Sequence, residues 1–277
     1  MENKRNTLRT YMVAASTAIR EKAAYPGNFA GGLLTYGLFI FIFSRIWASA
    51  YADKPNIAGY NYSMVLWYFI VAELSIFSFG RFFHTLSQDM KSGQVAYLLA
   101  RPYDFVTYHF AERYGGSFIN ALVFTAEALV LGSLFTGGLP PFPAGTDAGF
   151  IMHSARFIFT LLSLCMAGAL NFFLQTALAM TAFWLEENEA FFWIYQKITL
   201  IVGTLLPLEF LPDRLASIAR FTPFPYTTYA PARIAVAFAP TEALTLLGLQ
   251  ACWLAAAVLL ARGVFALGSR RVAINGG

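Results

Sequence analysis

The chain has 277 residues, of which 58% are hydrophobic and only 12% are charged. Soluble domains carry roughly 25% charged residues, so this composition excludes a water-soluble globular protein and indicates a membrane-embedded one. The net charge of +4 bears on membrane orientation rather than on nucleic-acid binding. Two cysteines in separate apolar runs and three widely separated histidines predict neither a disulfide scaffold nor a metal site.

The N-terminal region predicts an amphipathic helix over residues 5–23. Its apolar residues recur at spacings of three and four, and its arginines lie elsewhere around the helix; the apolar set is Leu8, Met12, Ala15 and Ile19. This pattern is typical of a helix in the cytoplasmic membrane interface with its apolar face toward lipid. The alternative, a solvated basic tail, does not account for the apolar stripe.

Six apolar runs follow, each long enough to cross about 30 Å of hydrocarbon, which takes roughly 20 helical residues. Strand alternation does not persist in them, and lipid admits only helices or closed barrels. We therefore expect an all-α fold and a single transmembrane domain over residues 1–277. The predicted spans are 29–48, 62–80, 117–136, 157–184, 191–210 and 243–261. A cleaved signal peptide is a poor alternative for the first run, because it begins too far from the N-terminus.

An even number of spans places both termini on the same side. If that side is cytoplasmic, it collects 13 of the 19 lysines and arginines, as the positive-inside rule requires. We therefore predict that both termini are cytoplasmic.

The cytoplasmic stretch 82–101 mixes apolar and charged residues and is long for a plain connection. Leu86, Met90, Leu98 and Leu99 offer apolar contacts, and Pro102 ends any helix there. The pattern favours a short helix that docks on a soluble partner over an ordinary solvated loop.

The segment 207–240 contains six of the 12 prolines and many aromatic residues. Prolines break a helix, whereas the aromatic residues suit the membrane interface. We expect short helices that dip into the outer interface, where protein or a water-lined cavity covers the broken backbone.

Short strings in these two regions resemble permease subunits of type-2 ATP-binding-cassette exporters, which move drugs, lipids and polysaccharides outward. The resemblance covers nearly the whole chain. Each string is short, and the specific signal is their order around six spans. The strings are Ser92-Gly93, Tyr97-Leu98-Leu99-Ala100-Arg101-Pro102, Ala182-Phe183-Trp184, Leu206-Pro207-Leu208, Phe210-Leu211-Pro212, Pro223-Phe224-Pro225-Tyr226 and Tyr229-Ala230-Pro231.

The resemblance implies that 82–101 is a coupling helix that contacts a cytoplasmic ATPase subunit. The coupling residues would be Thr85, Leu86, Met90, Gly93, Tyr97, Leu98, Leu99, Arg101 and Pro102. The proline-rich segment would form an outer re-entrant gate that includes Pro207, Pro212, Phe224 and Tyr226. The implied assembly is two permeases, identical or different, and two ATPase subunits that bind ATP and Mg²⁺. It would lie in the inner (cytoplasmic) membrane and export an amphipathic, lipid-like, drug-like or glycan substrate.

The sequence itself also indicates that ATP is bound by a different chain. The sequence contains no Gly-x-x-x-x-Gly-Lys-[Ser/Thr] loop to bind phosphates. We therefore expect that the chain is not an enzyme and that partner subunits hydrolyse ATP.

Four polar residues within the predicted spans are candidates for a translocation pathway: Glu73, Glu127, Asn171 and Gln175. Glu73 and Glu127 lie near mid-membrane, where a charge costs roughly 2.5–3.5 kcal/mol. Asn171 and Gln175 are four apart and share one helix face. All four either line a translocation pathway or bond neighbouring helices, and we favour the bonding interpretation.

Two other functions were weighed from the residues. Glu73 and Glu127 are compatible with a proton-coupled secondary transporter. His84 and Asp89 have the spacing of a glycerolipid acyltransferase motif, in which an Asp-oriented histidine activates a hydroxyl. No soluble domain accompanies that motif, and we therefore disfavour an enzyme.

Overall fold

The computed structural model describes residues 2–80, 82–92, 101, 103–140, 142 and 149–275, and in that part of the chain all regular structure is helical. The α-helices of the described residues, in chain order, are α1 (Glu2–Ala24), α2 (Ala30–Ala50), α3 (Tyr62–Phe79), α4 (Phe83–Lys91), α5 (Phe105–Thr136), α6 (Phe150–Ala179), α7 (Glu189–Thr199), α8 (Asp213–Arg220), α9 (Tyr229–Val236) and α10 (Pro240–Asn275). Short 3₁₀ turns lie at Pro26–Phe29, Met180–Phe183, Leu208–Phe210 and Pro225–Thr227, and a π-helical turn lies at Leu200–Thr204. The all-α prediction is confirmed.

Helix α3 is the centre of the bundle. Fourteen of its 18 residues are buried, because α2, α5, α6 and α9 surround it. The helix begins where the Asn61 side chain accepts a hydrogen bond of 2.9 Å from the backbone N–H of Met64. It ends at Gly80, whose φ of 66° is disfavoured for residues with a side chain.

The bundle has two distinct ends, which lie at the two ends of α3. Just before α3, Tyr60 contacts Glu209 in the proline-rich segment. Just before α4, Phe82 contacts Gln175 near the end of α6. We call the first the proline end, formed by residues 207–240 and their neighbours, and the second the α4 end.

Helix α7 connects these two ends. It follows α6, which finishes beside α4, whereas the next long helix, α10, starts at the proline end, where Glu242 bonds Arg233. At 1.5 Å per residue, the helical residues 189–204 cover about 24 Å of that distance.

Five helical segments are long and apolar enough to cross a membrane: Pro26–Ala50, Tyr62–Lys91, Phe105–Thr136, Phe150–Phe183 and Pro240–Arg270. They correspond to five of the six predicted spans. The predicted span 191–210 is not among them, because its backbone changes from α7 to the π-helical turn and then to a 3₁₀ turn after Pro207.

Two of the long helices extend well beyond their predicted bounds. Helix α5 begins at Phe105 rather than at residue 117, since the Asp104 side chain accepts a hydrogen bond of 2.8 Å from the backbone N–H of Thr107. Helix α10 continues to Asn275 rather than ending at residue 261. The apolar runs predicted the most apolar parts of these two helices, and they did not predict the more polar residues at the helix ends.

The predicted N-terminal helix is present as α1, and it packs along the first half of α5. A Cβ atom at Gly115 would lie only 2.8 Å from the Cα of Ala15, so this glycine permits the close approach. Ala15 therefore contacts α5, which corrects the expectation that it faces lipid. Leu8 and Met12, each 58% exposed, remain on the outer surface.

The proline-rich segment is divided into short helices, as predicted. Helix α9 is almost entirely buried against α3 and α6. Helix α8, in contrast, leaves Leu215 and Ile218 exposed, and Phe221 directly after the helix is exposed as well.

Candidate functional site

Helix α4 lies within the predicted coupling segment 82–101, and it has a buried and an exposed face. Leu86 is fully buried and Met90 is 8% exposed, so neither side chain is available to a partner. Thr85 and Arg101 are exposed. The remaining predicted coupling residues, Gly93, Tyr97, Leu98, Leu99 and Pro102, lie outside the described residues.

The start of α4 is capped by a side chain from another helix. The Oε1 atom of Gln175 on α6 accepts hydrogen bonds from the backbone N–H groups of Phe82 (2.8 Å) and Phe83 (3.1 Å). The first N–H groups of a helix have no partner within the helix, so this amide satisfies two of them at once. Gln175 therefore fixes the position of α4 relative to α6.

The same amide is held from its other side. Its Nε2 atom donates to Oδ1 of Asn171 at 2.9 Å, which confirms that the two residues share one helix face. That Oδ1 also accepts a hydrogen bond of 2.6 Å from the hydroxyl of Tyr195 on α7. Gln175 and Asn171 thus bond neighbouring elements, the interpretation that we favoured from the sequence.

A second buried amide attaches the middle of α4. The Ser87 hydroxyl donates to Oδ1 of Asn188 at 2.9 Å, and the Asn188 amide donates to the carbonyl of Ala179 at 3.1 Å. The Phe83 and Phe192 rings stack with their centroids 4.4 Å apart. Helix α4 is consequently attached to α6, to the α6–α7 turn and to α7.

The opposite face of α4 makes none of these hydrogen bonds and is polar. Its exposed residues are His84, Thr85, Gln88 and Lys91, and Ser92 follows directly after the helix; among them, His84 also contacts the Phe192 ring. The Lys91 ammonium lies 3.9 Å from a carboxylate oxygen of Glu187, whose side chain is 87% exposed. A firmly attached helix with an exposed polar face is suited to receive a protein partner.

The arrangement of α4 does not support the acyltransferase motif. His84 and Asp89 are five residues apart on one helix, which places their side chains about 140° apart around its axis. The imidazole of His84 instead lies against the rings of Phe83 and Phe192. Asp89 is therefore badly placed to orient this histidine.

Glu73 and Glu127 lie apart from the α4 end, between α2, α3 and α5. Glu73 is only 3% exposed, and both carboxyl groups interact electrostatically with the hydroxyl of Tyr36. Among the described residues, the Oε2 atom of Glu127 is buried without a hydrogen-bond partner. These two residues do not join Asn171 and Gln175 in a single polar site.

The proline end contains a polar cluster centred on Glu209. Its carboxylate accepts hydrogen bonds from the hydroxyls of Tyr60 (3.0 Å) and Tyr229 (2.7 Å). Burial raises the pKa of both tyrosines well above their ordinary value, and Glu209 raises that of Tyr229 further. Both hydroxyls therefore stay protonated and act as donors.

Arg233 completes this cluster. Its Nε atom donates to Glu242 at 2.8 Å and lies 3.8 Å from Glu209, and its NH1 atom donates to the Tyr60 hydroxyl at 2.7 Å. Burial alone lowers the pKa of Arg233, but the hydrogen bond that it donates to Glu242 and the nearby charge of Glu209 outweigh burial and raise that pKa. We call Tyr60, Glu209, Tyr229, Arg233 and Glu242 the Arg233 cluster.

The predicted gate residues take different positions around this cluster. Pro207 is buried directly before the 3₁₀ turn that carries Glu209, whereas Pro212 is exposed. Phe224 lies 6.0 Å from the ring of Tyr195. Tyr226 is buried, and its carbonyl accepts a hydrogen bond of 2.9 Å from Gln250 on α10.

The Arg233 cluster and Asn188 are functional groups that the sequence pattern did not predict. Glu209 lies within an apolar string, and its partner Tyr60 is 149 residues away, so no local pattern connects them. An isolated carboxylate and an isolated arginine in the same aromatic, proline-rich segment were the only available signal.

Comparison with known families gives one match that covers most of the chain. A family model described as ABC-2 family transporter protein matches residues 33–276. No curated protein and no solved structure matches significantly. The matched region contains α4, α6, α7 and the Arg233 cluster, and it begins after α1, within the first turn of α2.

Proposed function

Because the chain belongs to the ABC-2 transporter family, and is thus a multi-pass membrane permease of an ABC transporter, we propose that its α4 docks on a cytoplasmic ATPase subunit. Two such ATPase subunits would bind ATP and Mg²⁺ and drive two permeases, this chain with itself or with a related one. The exported substrate would be amphipathic, lipid-like, drug-like or a glycan.

The observation that carries this proposal is the two-sided character of α4. One face is attached to this chain by Gln175, Ser87 and the Phe83–Phe192 stack, and the other is exposed and polar. A nucleotide-driven movement must shift a two-state equilibrium by several kcal/mol, about 5.5 kcal/mol for a change from 1:99 to 99:1. An attached helix transmits such a movement, whereas a loose loop would absorb it.

We further propose six membrane passes with both termini cytoplasmic, in the inner membrane. Helix α7 carries the chain between the two ends of the bundle, so it acts as the fifth pass despite its irregular backbone. The α4 end would then be cytoplasmic and the proline end would face outward, as the distribution of lysine and arginine favours. The exposed apolar residues of α8 would contact the outer interface.

The translocation pathway is proposed to involve Glu73 and Glu127 rather than Asn171 and Gln175. The amides of the second pair are used by α4 and α7. The Glu127 carboxylate has an oxygen without a hydrogen-bond partner among the described residues and so retains bonding capacity.

Cysteine cross-linking tests the docking site. In a background with Cys165 and Cys252 replaced by serine, Gln88→Cys on the exposed face of α4 is compared with Leu86→Cys on its buried face. We expect a bifunctional maleimide to link Gln88→Cys, and not Leu86→Cys, to the co-purified ATPase. An ATPase that co-purifies normally but cross-links to neither variant would place the docking surface elsewhere.

A second candidate function is proton-coupled secondary transport, favoured by the unpartnered oxygen of Glu127. It predicts that a proton ionophore abolishes transport while depletion of ATP does not. Transport that follows ATP and ignores the ionophore would exclude this candidate.

A further inference from the structure

A continuous set of side-chain contacts leads from α4 to α7. Gln175 caps the backbone of α4, Asn171 accepts from Gln175, and the Tyr195 hydroxyl donates to Asn171. All three side chains are at least partly buried, and Gln175 is 3% exposed. A hydrogen bond in such a site is costly to break, because the freed groups find no water.

The far end of α7 contacts the proline end just as directly. The Tyr195 ring lies 6.0 Å from that of Phe224. In the π-helical turn, a Cβ at Gly203 would lie 2.5 Å from the Thr228 hydroxyl and 3.2 Å from the backbone Cα of Pro225, so this turn packs closely against the residues before α9. The carbonyl of Gly203 accepts a hydrogen bond of 2.7 Å from Tyr68 of α3. A displacement of α7 is therefore transmitted to the turn that precedes α9.

We infer that Gln175 is a positioning residue that transmits movement of α4 through Asn171 and Tyr195 to α7, and from there to the proline end. This inference rests on the proposed function, since it requires an ATPase that moves α4. It gives Gln175 a mechanical role instead of a place in the substrate pathway. Gln175 accepts its hydrogen bonds from two backbone N–H groups of α4. The connection therefore does not depend on which side chains α4 carries.

The chain contains a matched control for this role. Gln250 on α10 is also a fully buried amide that connects helices: it accepts from the Ser163 hydroxyl at 2.8 Å and donates to the Tyr226 carbonyl at 2.9 Å. It does not contact α4. Loss of Gln250 thus reports on loosening of the bundle and of the proline end with α4 still attached, and loss of Gln175 reports on the connection to α4.

The experiment follows the proline end while the ATPase turns over. The permease and its co-purified ATPase are reconstituted in lipid nanodiscs, with Cys165 and Cys252 replaced by serine and an environment-sensitive fluorophore on Phe221→Cys. Phe221 is 83% exposed and belongs to the proline end. The readout is the change in fluorescence when the ATPase is trapped with ATP, Mg²⁺ and vanadate. This measurement requires no knowledge of the transported substrate.

We expect Gln175→Leu to keep ATPase association and hydrolysis close to wild type but to reduce the fluorescence change about tenfold, the effect of roughly 1.4 kcal/mol of lost coupling. Gln175→Glu should lose only part of the change, because its carboxylate still accepts from both N–H groups at the helix start but can no longer donate to Asn171. Tyr195→Phe, which removes only a hydroxyl, should reduce it less. Gln250→Leu loses the bond to Tyr226 but leaves α4 attached, so it should retain more of the change than Gln175→Leu.

The inference is overturned if Gln175→Leu responds like wild type, or if Gln250→Leu loses the response equally. Should Gln175→Leu fail to assemble, the comparison of Tyr195→Phe with wild type decides in the same way. Failure of the proposed function looks different: the wild-type permease itself would bring down no ATPase and show no vanadate response, and the inference would fall with it.

Discussion

The two ends of the bundle are held by different chemistry. At the α4 end, the neutral amides of Gln175 and Asn188 bond backbone groups and hydroxyls. At the proline end, the carboxylates of Glu209 and Glu242 share the single guanidinium of Arg233. Neutral hydrogen bonds contribute modest, separable amounts, whereas partly buried charges depend on every member of their group.

This difference matters for what each end can do. A set of neutral bonds holds α4 in position and tolerates loss of one bond with a graded effect. The Arg233 cluster is stable when complete, but a missing partner leaves a desolvated charge without compensation. The proline end is therefore expected to behave in an all-or-none manner, which suits a segment that is either closed or open.

The largest effect should follow from breaking the Arg233 cluster. Arg233→Met leaves Glu209 and Glu242 without their cation, and we expect a loss of about 2–4 kcal/mol, since removal of one partner from a buried ion pair costs about 3–5 kcal/mol and this site is partly exposed. The measurement is the thermal unfolding temperature in detergent micelles. Arg214→Met, at an exposed arginine of the same segment, is the control and should leave that temperature unaltered.

A further change sharpens this test. Glu242→Gln combined with Arg233→Met removes one of the uncompensated carboxylates and should recover part of the lost stability. If Arg233→Met unfolded at the same temperature as Arg214→Met, the charges at the proline end would be solvated and the contrast between the two ends would disappear.

An intermediate effect is expected at Gly203, where α7 meets the proline end. A Cβ there would lie 2.5 Å from the Thr228 hydroxyl and 3.2 Å from the Pro225 backbone, and such overpacking costs about 1–3 kcal/mol. Gly203→Ala should lower the unfolding temperature. Gly248→Ala is the matched control: it lies in helix α10 with open space around it, so alanine should stabilise the helix by about 0.5–1 kcal/mol. Equal effects of both changes would show that the contact at Gly203 is loose.

The long helices could be predicted from the sequence, whereas the interruption of α7 could not. The long helices α2, α3, α5, α6 and α10 are visible as apolar runs, because crossing hydrocarbon demands length and hydropathy that are purely local properties. The interruption of α7 is not visible in the same way. The string Thr199–Leu206 stays apolar while its backbone becomes π-helical, and the bond from the Tyr68 hydroxyl to the freed Gly203 carbonyl is a tertiary contact.

The candidate site was predicted only in part, for the same reason. The spacing of Asn171 and Gln175 placed them on one helix face, which their hydrogen bond confirms. The function of Gln175 in capping α4 was not predictable, because the donors are backbone N–H groups of Phe82 and Phe83 that any sequence would supply. Likewise, the sequence marked Leu86 as a contact residue, but only the fold determines which face of an amphipathic helix is covered.

The smallest effect is expected at the exposed face of α4. Lys91 and Glu187 form an ion pair at 3.9 Å with side chains that are 37% and 87% exposed, and solvated pairs of this kind contribute about 0–1 kcal/mol. Lys91→Ala should therefore match Lys54→Ala, an exposed lysine elsewhere, in unfolding temperature at both low and high salt. A loss as large as that of Arg233→Met would mean that charge also holds the α4 end. A negligible change in unfolding temperature would show that the Lys91–Glu187 pair does not hold α4. The neutral amides of Gln175 and Asn188 would then keep α4 in place, and its exposed polar face would be free for a partner.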